Sequence, residues 1–385
     1  MTIRPGHTRA TMSGRRPSYA CIFAPRRKSN RLISLKNRHG NSYLYVFRVA
    51  NPFIHWIEAK GIWAPWLFVV LFIVASFIMI WRLEAMSAQG FENTALGTLI
   101  MPYCSGMGNL IFAFIIGRND GSGSDVMVNS LVNNVTNMTL VLGLPTIIWG
   151  IRILPKKNKN GEGKKVKKSG ARTHELNRLS LLLTLAAVLF FTGAVWALGR
   201  KGSLDANDSL ILIGLFLFWQ CFHVVEVLKS NVRQGKSQGW MLPFDLIVLA
   251  VCAYAIYVST DWLVTWLQNR HEGFISVKYL GWLSGWLMVL PNALLAFYYG
   301  WRGQPETVYA SQVGDCHVSI PLCLGVYTIF HTMVMPPFFY VGMWILLAAT
   351  LLHILFVAFF GQLPKFFGWI LVAAYGFFLW KGLLG

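Results

Sequence analysis

Ten apolar stretches, each close to the length a helix needs to cross a lipid bilayer, leave this chain few ways to fold. They run at about 64–81, 94–117, 126–151, 179–199, 208–228, 240–260, 275–299, 307–332, 337–360 and 364–384. A helix spans the hydrocarbon core with roughly 20 residues. Backbone groups in lipid must pair within their own segment, so such stretches are read as helices. The alternation of a membrane β-barrel is absent. Charged residues make up 13% of the chain, about half of what soluble domains carry. Trp63, Trp66, Trp81, Trp149, Trp196, Trp240, Trp262, Trp301 and Trp369 cluster near the ends of the stretches, where amphipathic rings settle at headgroup level. The expectation is an all-α membrane protein with about ten transmembrane helices in two inverted five-helix repeats.

The formal net charge of +19 would suggest nucleic acid in a soluble protein. Here the basic residues sit in the N-terminal arm and between apolar stretches, so topology and anionic lipid account for them and no nucleic-acid partner is expected. One set of alternate loops carries Arg82, Arg152, the run from Lys156 to Lys168, Arg172, Arg178, Lys229, Arg233, Lys236, Arg302 and Lys365. The opposite set carries Arg118, Arg200, Lys201, Arg270, Lys278 and Lys381. The first set is therefore expected in the cytoplasm, which puts both termini outside. The arm, residues 1–60, pulls the other way; it is read as a disordered basic arm or the product of an unused upstream start codon, with a mitochondrial transit peptide, which shares its Arg- and Ser-rich, acid-poor composition, as the alternative. The chain divides into this arm, a first half (61–151 with a helix pair at 94–145, a basic cytoplasmic loop at 152–178, and 179–239) and a second half (240–385, with a helix pair at 281–326). The expected location is multi-pass in the cell membrane, with an organellar membrane as the alternative.

Five spans per half is an odd number, so the second half begins on the opposite membrane face, an arrangement common in secondary transporters. The sequence repeats as well. TALGTLIMPYCSGMGNLIFAFIIGR followed by DVMVNSLVNNVTNMTLVLGL matches, in character, GWLMVLPNALLAFYYGWRG followed by ETVYASQVGDCHVSIPLCLG. Each half has a small/polar helix, a short charged hairpin, and a polar helix that closes on Leu-Gly. Asn109, Asn129, Asn133, Asn134 and Asn137, and in the second half Asn292, Ser311, Asp315 and Ser319, interrupt otherwise apolar helices. Such groups are costly in a membrane unless paired or facing water. Asn133 and Asn137 share a helix face at i,i+4, and Asp315 and Ser319 repeat the spacing. Two such faces converging near the midplane would offer oxygen ligands suited to hard cations. The competing account is helix–helix adhesion, for which Asn, Ser and Gly are also used.

This constellation resembles the α-repeats of the sodium/calcium exchanger superfamily of cation antiporters, whose pattern is approximately G-T-S-x-P-E, then G-N-x-x-G-S-N-x-x-[ND]-x-x-x-x-L-G. Asn133 to Gly143 and Asp315 to Gly325 fit the second element. Pro291-Asn292 falls where the family has Pro-Glu; Gly108-Asn109 is the best match in the first half, with its register to Asn137 off by one. The resemblance implies a secondary active antiporter working by alternating access, with a cation site at the repeat interface made from Asn109, Asn133, Asn137, Asn292, Asp315 and Ser319. Here asparagines replace the two family glutamates, Ser319 stands at the last ligand position, and the one carboxylate, Asp315, stands where the family has Ser. One carboxylate suits sodium or a proton better than calcium. The alternative function is a non-transporting scaffold or sensor on a transporter fold.

No P-loop, HExxH or G-x-S-x-G motif is present, so an enzyme is not expected. No cofactor or further metal site is expected beyond the transported cation, and the expected partners are the bilayer and small cations. The six cysteines form no CxxC pair and are read as packing residues. His223 and Glu226 at i,i+3 are read as an interfacial pair, and Asp245 as a helix-start residue. His317 points away from Asp315 on an ideal helix, and His331 and His353 are isolated, which suggests packing roles.

Overall fold

Helices form where the apolar stretches lie. The computed structural model describes residues 52–88, 103–104, 106–152, 168–231 and 242–384. A short helix α1 (Pro52–Glu58) lies inside the arm, where no helix was expected. Then come α2 (Ala64–Ala88), α3 (Met107–Arg118), α4 (Gly123–Ile148), α5 (Lys168–Gly199), α6 (Ala206–Asn231), α7 (Leu242–Gln268), α8 (Leu280–Trp301), α9 (residues 305–330), α10 (Phe339–Phe360) and α11 (Lys365–Leu384). Among the described residues eight helices are long and apolar enough to cross a membrane, and α3 and the apolar part of α6 are shorter. Most of the basic arm, the run from Lys156 to Lys167 and the loop at 232–241 lie outside the described residues, as do the side chains of His223 and Glu226. His55–Gly385 forms one compact unit.

Among the described residues the only strands form two short antiparallel bridges. β1 (Ile151–Arg152) pairs with β4 (Gln362–Leu363), and β2 (Ser203–Leu204) with β3 (Met333–Val334). Each occupies backbone groups freed where helices end. Beside β2, at the start of α6, Lys201 sits 2.7 Å from both Asp205 and Asp208. Its hydrogen bond to Asp205, then that to Asp208, raises the ammonium pKa, and the same ammonium lowers that of Asp205.

Helix pairing follows a regular scheme: α2 packs on α7, α4 on both α8 and α11, α9 on both α3 and α6, and α5 on α10. In lipid, helices associate by close packing, so small residues occupy the tightest contacts. At the α4–α8 crossing a Cβ on Gly285 would lie 2.7 Å from Val132 Cβ and 3.0 Å from the Asn129 carbonyl. At the α4–α11 crossing a Cβ on Gly368 would lie 2.7 Å from the Gly143 carbonyl. Arg82 of α2 forms an ion pair with Asp245 of α7, whose side chain is 1% exposed.

α3 and α8 end in the same way. The Gly121 N–H donates to Ile116 O and the Gln304 N–H to Tyr299 O, both at 2.9 Å. Just before each donor stands a left-handed residue, Asp120 (φ 54°) or Gly303 (φ 69°). These are the six-to-one bonds with which many helices stop. α4 and α9 share another feature: each widens into a π turn, at Thr136–Val141 and Ser319–Cys323. In α9 the turn contains Pro321, which lacks an N–H to donate.

Candidate functional site

On α4, Asp125, Asn129, Asn133 and Asn137 follow at intervals of four and so form one polar stripe. Asn129 donates to Ser284 Oγ of α8 at 3.0 Å. Further along, the stripe meets Asp315 of α9. Asn133 Nδ2 and Asn137 Nδ2 each donate to Asp315 Oδ2 at 2.9 Å. Ser319 Oγ donates to Asn134 Oδ1 at 2.6 Å, and Asn133 Nδ2 also reaches that oxygen at 3.3 Å. Asn133, Asn134, Asn137 and Ser319 are fully buried and Asp315 is 1% exposed. Both π turns fall here: Asn137 lies within one, and Ser319 opens the other. Such turns recur at functional sites.

α8 supplies Asn292, which is 7% exposed. Its carbonyl accepts from Gln312 Nε2 at 3.2 Å. Asn109 of α3 is 3% exposed. It lines, together with Asn292, a cavity of about 20 Å³ between α2, α3, α7 and α8. The helix-ending turns explain the register difference noted in the sequence. Asn109 and Asn292 each stand seven residues before the carbonyl that closes their helix (Ile116 and Tyr299), so they occupy matching places. The extra residue lies in the first hairpin, between Gly121 and Asn133.

Asn133, Asn137 and Asp315 are thus in direct contact, Ser319 joins them through Asn134, Asn292 meets α9 through Gln312, and Asn109 shares the cavity with Asn292. Reading the sequence alone left two participants out of the set. Asn134 bridges the two helices, and Gln312, at i−3 from Asp315, braces Asn292. Their signal was present: both are amides on the two most polar helices.

The electrostatics are lopsided. No salt bridge to Asp315 occurs among the described residues. A buried carboxylate without a countercharge is costly, so it must hold a proton or attract a cation. Asp315 Oδ1, Asn133 Oδ1, Asn137 Oδ1 and Asn109 Oδ1 are buried without a hydrogen-bond donor. Donors are directed at one carboxylate oxygen, while the remaining oxygens are left for something that accepts electron pairs. Oxygen ligands of this kind suit hard cations.

The other sequence candidates lie elsewhere. Asp245 does stand in the first turn of α7 and is engaged by Arg82. His331 Nε2 contacts the Gly117 carbonyl at 2.9 Å and Asp120 at 3.0 Å. His353, fully buried, contacts the Met138 carbonyl through Nε2 at 2.9 Å, beside the π turn of α4. His317 is nearly buried. Among the described residues no group of three or more His, Cys, Asp or Glu side chains could hold a metal.

No curated protein matches this sequence. Solved structures of the sodium-calcium exchanger NCX_Mj do. The form soaked with 2.5 mM Na+ and 1 mM Sr2+ is 17% identical, with a TM-score of 0.54 over 81% of this chain and 95% of that one. The form soaked with zero Na+ and Ca2+ is 18% identical, with a TM-score of 0.54 over 83% and 97%. The form soaked with 2.5 mM Na+ and 0.1 mM Ca2+ is 19% identical, with the same score over 82% and 96%. At these identities the likeness is one of fold. The family model described as sodium/calcium exchanger protein matches residues 60–225 and 244–381, most of the chain and both polar helix pairs, and the chain therefore belongs to the sodium/calcium exchanger protein family.

Proposed function

We propose that this protein is a secondary active cation antiporter that works by alternating access, with its ion site at Asp315 between α4 and α9. The observation that carries the reading is the buried Asp315 carboxylate, which has amide donors on one oxygen and no countercharge among the described residues. Asn109, Asn133, Asn137, Asn292 and Ser319 supply neutral oxygens around it. One fixed charge favours sodium or a proton over calcium, whose sites usually gather several carboxylates.

The ten helices α2 to α11 are read as spans in two inverted halves, and the pairing scheme supports this. Exchanging α2–α6 with α7–α11 in order maps α4–α8 onto α9–α3, α4–α11 onto α9–α6, and leaves α2–α7 and α5–α10 unchanged. It also maps the β1–β4 bridge onto β3–β2. A site on such an axis can be presented to either face by rocking one half against the other. The basic loop at 152–178 is assigned to the cytoplasm by its Lys/Arg excess.

The test is ion flux in proteoliposomes. Asp315→Asn keeps size and removes the charge, so cation-dependent flux should fall at least tenfold while the protein remains monodisperse. Asn292→Glu should move ion preference toward divalent cations. Normal transport by Asp315→Asn would overturn the assignment and leave the polar stripe as helix–helix adhesion.

A further inference from the structure

The small cavity beside Asn109 and Asn292 has an unusual lining. Of the twelve residues around it, four carry sulfur: Met79 from α2, Cys104 just before α3, Met107 from α3 and Met288 from α8. The whole chain has 13 Met and 6 Cys in 385 residues, so the lining is several times richer in sulfur than the protein. Met79, Cys104 and Met288 are buried. Met288 Sδ lies against the α3 backbone, 2.5 Å from where a Cβ on Gly108 would stand, next to Asn109. Asn109 lines the same space, and its Oδ1 is buried without a donor. The volume of about 20 Å³ admits a single water-sized sphere. No charged side chain lines it among the described residues.

We propose that this cavity binds a soft monovalent metal cation of the Cu(I)/Ag(I) class, through the sulfurs of Met79, Cys104, Met107 and Met288 and the amide oxygen of Asn109. Thioether and thiol sulfur favour soft ions over sodium or calcium. A lining without carboxylates matches an ion of single positive charge. Methionine is also a common filler of irregular gaps, and the experiment separates the two roles. The proposal rests on the antiport reading in one respect, that Asn109 and Asn292 belong to both sites.

The test uses full-length protein in detergent, reduced, with Cys21 and Cys221 replaced by Ala, and silver ion as a redox-inert probe. Titration against a competing chelator should reveal one tight equivalent. The variant Met79→Leu/Met107→Leu/Met288→Leu, which conserves volume, should weaken it at least 100-fold, and each single Leu variant should weaken it measurably. X-ray absorption of the parent loaded with Cu(I) should show a sulfur first shell. A first shell of oxygen and nitrogen only, or single and triple Leu variants that titrate like the parent, would overturn the proposal. Asp315→Asn should retain silver binding. Sodium-coupled flux without tight silver binding would refute the sulfur site alone. Tight, methionine-dependent silver binding in a protein that moves no cation would refute the antiport reading alone.

Discussion

The Arg82–Asp245 pair allows a quantitative test of how α2 and α7 are joined. The side chains are 14% and 1% exposed. Asp245 Oδ2 and Arg82 Nε have no other partner, so a single contact holds the pair. Breaking a buried ion pair from one side costs about 3–5 kcal/mol, because the other charge is stranded. Asp245 sits in the first turn of α7, where the helix dipole offsets about 1 kcal/mol. Arg82→Met should therefore destabilise by about 2–4 kcal/mol. Removing Asp245 is the milder change. The stranded Arg82 can extend toward water and retains the Trp81 and Phe244 rings at 5.3 and 5.8 Å, so Asp245→Leu should cost about 1–2 kcal/mol. The double variant Arg82→Met/Asp245→Leu strands nothing and should lie within about 1 kcal/mol of the parent. Heat denaturation followed by the loss of the monodisperse peak on gel filtration ranks the four proteins. Additive effects of the two single changes would refute the argument, since they would mean that the charges do not sense one another.

Three further outcomes are expected. Gly285→Ala should destabilise by about 1–3 kcal/mol through overpacking against Val132 and the Asn129 carbonyl, whereas Gly193→Ala, where nothing lies within 4 Å, should be neutral or stabilising; equal melting shifts for the two would contradict the packing. His353→Leu should cost about 1–3 kcal/mol by removing the buried bond to the Met138 carbonyl; His353→Gln should recover part of the loss, and an unchanged melting point for the Leu variant would count against that bond. Asp120→Gly should raise stability by about 0.5 kcal/mol, since relief of the left-handed conformation exceeds loss of an exposed pair with His331; a lower melting point would show the ion pair to be the larger effect.

Much of this was legible in the sequence because lipid narrows the choices. Apolar runs of spanning length become helices, and the asparagines of α4 stand out against them at i,i+4. The resemblance of Asn133–Gly143 to Asp315–Gly325 survives as a contact between the two segments. What stayed hidden depends on neighbours that the local pattern does not encode. Asn134 lies off the i,i+4 stripe, and the approach of Ser319 gives its side chain a partner on another helix. The short bridges at Ile151–Arg152 and Ser203–Leu204 are two-residue pairings across long sequence distances, too brief for any alternation to announce. The register of Asn109 depends on one extra residue in a hairpin, which only the positions of the helix-ending turns locate.

The π turn of α4 changes what this helix can present. From Asn133 to Gly143 a regular α-helix would turn through about 1000°, leaving the two residues some 80° apart around the axis. Absorbing one extra residue removes about 100° and brings them to nearly opposite sides. A single rod can then hold Asp315 with one flank and seat Gly368 against the other. A π turn can also migrate: hydrogen bonds exchanged one at a time move it along the rod, and only the residue it passes is rotated. Passage across Asn137 would swing that one amide about 100° away from Asp315 while Asn133 and Gly143 kept their places. The helix would thereby withdraw one amide without unwinding and without moving as a body.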